Sequence, residues 1–102
     1  MASLNWEEVK QRYPAGKRIP QLVGSHTFEI AEVTDEALRF KWRLIEGTIK
    51  RQDLERIVEL IDQGVVRPDK VTLTSDYRTL VSDERPTTAI AILQDLGYIK
   101  DT

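Results

Sequence analysis

Between Thr27 and Gly64 the apolar positions change period once, and that change organises the chain. Phe28 and Ile30 alternate with Glu29 and Ala31. Thr34-Asp35-Glu36 reads as a turn. Leu38, Phe40, Trp42 and Leu44 then alternate with Arg39, Lys41 and Arg43. Period two predicts a β-hairpin from Phe28 to Leu44. After Gly47 the period becomes helical: Leu54, Ile57, Val58, Leu60 and Ile61 share one face, and Gly64 suits the end of a helix over 51–63. Ile45-Glu46-Gly47-Thr48-Ile49 extends the sheet by a turn and a short third strand.

The flanks are less regular. Asn5 and Glu8 have capping-box spacing, and Trp6, Val9 and Tyr13 share a face, so a short helix is expected before Pro14. Ile19 and Leu22 are candidates for part of a strand, and Val23, which lies outside the residues described below, is a third. A short strand or one helical turn is expected near Lys70 to Thr74, and a turn at Ser75-Asp76-Tyr77-Arg78. The last helix begins at Pro86, a residue suited to the first turn, and ends at Gly97. The expected fold is α+β: a small antiparallel sheet built on the hairpin, packed by the central and C-terminal helices, with a short N-terminal helix. The expected core is Trp6, Phe28, Ile30, Phe40, Trp42, Leu54, Ile57, Ile61, Ile90, Leu93 and Leu96.

Length and composition fit this picture. The chain has 102 residues, 40% hydrophobic and 31% charged, which predicts one soluble globular domain. Without Cys there is no disulfide and no thiolate chemistry. The start of the chain shows no apolar signal core or basic leader, and no apolar run approaches membrane-spanning length. These features predict a cytoplasmic protein with no membrane partner.

The net charge is −2. Residues 1–51 carry 9 Lys/Arg against 7 Asp/Glu, and residues 52–102 carry 6 against 10. This argues against a strong electrostatic DNA binder and leaves room for a local basic patch. The clearest patch is Arg39, Lys41 and Arg43, spaced about 6.5–7 Å apart along one strand face, near the phosphate step of a nucleic-acid strand. An ion-paired solvated face, with Glu29 or (after a register slip) Glu32 opposite, is the plain alternative, and a protein partner is a third. Lys50 and Arg51 precede a helix, where cations oppose the dipole, and an anion nearby would account for them. Lys17 and Arg18 form a basic connector read as solvated.

Catalytic signals are weak. His26 is the single histidine and reads as a polar strand-end residue. No metal-ligand spacing and no Gly-rich phosphate loop occurs. Pro68-Asp69 opens like one nuclease motif, but the acidic-x-Lys strand is missing. Thr87 to Ile99 looks like the recognition helix of a winged helix-turn-helix, yet it offers only Gln94 to base edges. We therefore expect no enzyme, no cofactor and no catalytic residue.

The stretch Thr27-Phe28-Glu29-Ile30-Ala31-Glu32-Val33, the helix opened by Ile49-Lys50-Arg51-Gln52-Asp53-Leu54-Glu55, and the apolar helix before Leu96-Gly97-Tyr98-Ile99 together resemble small uncharacterised accessory domains, some of which accompany restriction-type and other DNA-processing proteins. The resemblance spans most of the chain as a pattern and transfers no functional residue. It implies a non-enzymatic accessory module. The expected site is nucleic-acid backbone contact through Arg39, Lys41, Arg43, Lys50 and Arg51. The alternative is a protein-interaction or homodimerisation module, suggested by the apolar last helix and a free hairpin edge.

Overall fold

The computed structural model describes residues 4–22 and 24–99. Helix α1 spans Trp6–Arg12; strands β1, β2, β3 and β4 span Arg18–Pro20, Thr27–Val33, Ala37–Trp42 and Ile45–Lys50. Helices α2, α3 and α4 span Arg51–Asp62, Lys70–Leu80 and Pro86–Leu96. The strands form one antiparallel sheet in the order β1-β2-β3-β4. The fold is α+β, as the change of period predicts.

The alternation sets two sheet faces. Ile19, Phe28, Ile30, Leu38, Phe40 and Ile49 point inward and are buried. Helix α2 packs on β3 and β4, α4 packs on β1, and α3 packs on α4. This arrangement explains the wide apolar stripe of α4: Ala89, Ile90, Ala91, Ile92 and Leu93 are all buried because the helix has neighbours on several sides. Of the expected core, Trp42, Ile61 and Leu96 sit at its margin and are half-buried. The other eight residues are buried.

Helix α1 starts as its spacing predicts. The Asn5 side chain accepts from the Glu8 amide at 3.3 Å. Two tertiary hydrogen bonds fix the helix. Trp6 Nε1 donates to the Thr34 carbonyl at 2.6 Å, and Tyr13 Oη donates to Asp95 Oδ2 at 2.6 Å. Burial, reinforced by the Asp95 carboxylate, pushes the Tyr13 phenol well up from its ordinary value.

Two regions differ from the sequence expectation. The chain from Lys70 to Leu80 is one helix, not a short strand or single turn, and Ser75 to Arg78 lies inside it. Asp69 is its N-cap, accepting from the Val71 amide at 2.9 Å. Its buried residues, Leu73 and Tyr77, are one turn apart, while Val71 and Leu80 are exposed. The second difference is the β3–β4 connection. Arg43 and Leu44 are not strand residues but a two-residue turn, with Arg43 at φ 57°. Only the first turn residue has positive φ, the pattern of a type II′ turn, which normally carries Gly there. Among the described residues no helix is long and apolar enough to cross a membrane.

Candidate functional site

The outer face of the sheet carries the expected basic stripe, together with its neutralising partners. A β-bulge shifts the register between Ile30 and Glu32, with Ala31 left over. One extra residue brings both Glu29 and Glu32 to the same face, opposite Lys41 and Arg39 respectively. Arg39 Nη1 meets Glu32 Oε1 at 2.7 Å, and that hydrogen bond raises the guanidinium's already high value. Across the four strands Arg18, Glu29, Lys41 and Glu46 stand in one register row. Signs alternate along that row, and beside it Arg39 is paired with Glu32.

The turn changes the stripe again. Arg43 leaves the strand, and its guanidinium carbon lies 4.9 Å from the Trp42 ring centroid. Arg43 thereby joins Lys41 and Arg18 around a notch of about 150 Å³, whose other walls are Thr27, Glu29 and Trp42. Three cations meet one carboxylate there. Arg18, a solvated connector by its sequence pattern, is brought in by its pairing with Glu29 through β1.

Lys50 and Arg51 belong to the opposite end of the sheet. Lys50 pairs with Ala37, whereas the Arg43 turn adjoins Trp42, about 16 Å along β3. The five expected residues therefore do not form one site: Lys41 and Arg43 come together, Arg39 lies between, and Lys50 and Arg51 lie apart. No anion is needed to account for Arg51. Its side chain lies over the Trp6 ring at 5.5 Å, donates to the Asp35 carbonyl at 3.1 Å and approaches Glu55 at 3.4 Å. Lys50 is the exposed N-cap of α2 and makes no capping bond through its side chain. In the first turn Asp53 is raised above the usual carboxylate range by burial, against the opposing pull of Lys50.

A second concavity, of about 360 Å³, opens on the inner face at the same end of the sheet as the notch. Phe28, Phe40 and Trp42 form its aromatic wall, with Phe28 and Phe40 edge to face at 5.7 Å. Ile45 contributes from β4, and Thr87 and Thr88 from the start of α4. Gly47 shapes it. A Cβ at that position would lie 2.5 Å from Phe40 Cζ and 3.2 Å from Arg85 Nε, so only Gly lets ring and guanidinium lie over β4. Arg85 is held at φ 51° just before Pro86, with its guanidinium carbon 6.0 Å from the Phe40 centroid. Sequence reasoning missed this groove. The one local signal is Gly47 directly across from Phe40, which leaves space above the ring.

Arg12 and Tyr13 converge on Asp95 and clamp α1 to the end of α4. His26 is exposed at the entry to β2. Among the described residues no group of three or more His, Asp or Glu side chains is placed to hold a metal ion. Comparison of the chain with protein-family models, curated proteins and solved structures finds no match.

Proposed function

We propose that the chain is a non-enzymatic binding module that contacts nucleic-acid backbone at the tip of the β3–β4 hairpin. The observation that carries this reading is the notch in which Arg18, Lys41 and Arg43 surround a single carboxylate, Glu29. Arg guanidinium forks and a Lys ammonium suit phosphate oxygens. Contacts of this kind position a strand without reading its bases, so little sequence preference is expected. Two or three phosphates are within reach of such a patch, and the logarithm of affinity falls with the logarithm of salt with a slope of about −2 to −3. The test is a salt-dependent titration against mixed single- and double-stranded oligonucleotides. Replacing Arg18, Lys41 and Arg43 together by Ala abolishes binding, while Lys50→Ala leaves it unchanged. A folded triple variant that binds as before removes this site.

A second reading rests on Leu44, which is 99% exposed at the same tip and next to the half-exposed Ile45. An apolar tip of this kind suits a protein partner or a second copy of the chain. Light scattering over a wide concentration range tests the second copy: a mass of one chain throughout removes the homodimer.

A further inference from the structure

Among the described residues the inner groove shares only Trp42 with the cationic notch, and its chemistry is different. Its volume of about 360 Å³ falls among those of small-molecule sites. Among the described residues no Asp or Glu lines it; its polar groups are Gln21, Thr87, Thr88, Arg85 and the Trp42 indole. Arg85 makes no ion pair within 4.0 Å among the described residues. Its contact is the Phe40 ring, and its side chain borders the groove beside Thr87 and Thr88. Glu46, Asp83 and Glu84 line an adjoining concavity that Arg85 also borders. One unpaired cation bordered by acids favours one negative charge and disfavours a second.

We propose that this groove binds a small planar aromatic monocarboxylate. The ring packs among Phe28, Phe40 and Trp42, and the carboxylate takes the Arg85 guanidinium with a Thr87 or Thr88 hydroxyl beside it. Aromatic walls favour an aromatic ring through offset or edge-to-face contact. An Arg–carboxylate pair sheltered by them has two parallel hydrogen bonds. Gly47 is the specificity device: it keeps ring and guanidinium close enough for one ligand to meet both. The site does not depend on nucleic-acid contact, since Arg18, Lys41 and Arg43 take no part in it.

The test uses the full, isotope-labelled chain with two matched probes, 1-naphthaleneacetate and the uncharged 1-naphthaleneethanol, followed by amide and indole chemical shifts. The acid is expected to give saturable shifts at the Trp42 indole and the Thr87 and Thr88 amides. The alcohol binds at least about tenfold more weakly, the size expected for a lost hydrogen bond to charge. Arg85→Asn keeps a residue that tolerates positive φ and caps helices, and it lowers acid affinity to the level of the alcohol. Thr88→Phe fills the groove and removes the saturable shifts at the Trp42 indole and the Thr87 amide, while 2,6-naphthalenedicarboxylate binds more weakly than the monoacid. Equal affinity for acid and alcohol, an unchanged acid affinity in Arg85→Asn, or no saturable shift up to the solubility limit overturns the proposal.

Discussion

The two ends of the sheet use the same residue types differently. Where β4 runs straight into α2, Lys50 stays exposed but Lys10 and Arg51 are absorbed by the fold. Lys10 pairs with Asp35 and Glu7, and Arg51 holds the Asp35 carbonyl and covers Trp6. At the opposite end Arg18, Lys41, Arg43 and Arg85 form no ion pair within 4.0 Å among the described residues, and all four border concavities. The cause is the local backbone. A strand-to-helix junction crossed by α1 brings carbonyls and carboxylates close together, and a two-residue turn offers few. A cation's meaning therefore lies in the acceptors the fold places around it, and simple counts of charge do not separate the two ends.

The largest expected effect comes from closing the space at the tip. Gly47→Ala sets a methyl 2.5 Å from Phe40 Cζ, too close for any real contact. Ring and strand must separate, at a cost of about 1–3 kcal/mol. Urea unfolding measures it, and the groove probes should bind less well in the same variant. An unchanged midpoint would show that the Phe40 ring is free to move, and the groove would lose its fixed wall.

Removing one arginine from each end sharpens the contrast, because the signs differ. Arg51→Ala gives up the ring contact and the bond to the Asp35 carbonyl and destabilises by about 1 kcal/mol. Arg43→Gly loses the Trp42 contact, worth about 0.5 kcal/mol at an exposed site, and relieves a left-handed residue that costs about 1–2 kcal/mol. Its net effect is a rise in thermal midpoint together with weaker oligonucleotide binding. A fall in midpoint would place Arg43 among the structural cations. Leu44→Ser, at a fully exposed position, should move stability by less than about 0.5 kcal/mol while changing only self-association, if the tip is an interface.

These contrasts were unevenly legible in the sequence. Phe28 to Trp42 and Leu54 to Ile61 carry clean periods, and both became the elements their periods predict. The Arg43-Leu44 turn left no trace. Apolar alternation runs on through Trp42 to Leu44, and the turn uses Arg where Gly is usual, so composition and pattern both pointed to strand. Helix α3 was hidden by Val71, Thr72, Thr74 and Thr79, whose β-branched or hydroxyl side chains favour other conformations, and by having only Leu73 and Tyr77 buried. Asp69, two residues before Val71, is the one readable start signal of this helix. The bulge at Ala31 could be framed as a register slip but not located, because both registers offered the stripe a glutamate. The groove is assembled from β2, β3, β4 and the start of α4, and no local pattern encodes such a meeting.

The smallest effects are in the acid range, where two carboxylates near the Lys50 end act in opposite directions. The hydrogen bond from Lys10, with its charge, holds the Asp35 carboxyl below its ordinary value. A carboxyl lowered by folding stabilises above its unfolded value, and that contribution disappears as pH falls through the lowered folded one. Asp53 is raised, chiefly by burial. Its ionisation opposes folding above that raised value, and the opposition is relieved as pH falls through it. Urea midpoints taken from pH 7 down to about pH 2 in Asp35→Asn and Asp53→Asn separate the two. Asp35→Asn flattens the decline in acid. Asp53→Asn raises stability at neutral pH and steepens the decline, because it removes the one of the pair that gains on protonation. Parallel curves for both variants would mean that Lys10 and Asp35 are not paired in solution, and Arg51 would then be the one cation of the three that the fold absorbs at this end of the sheet.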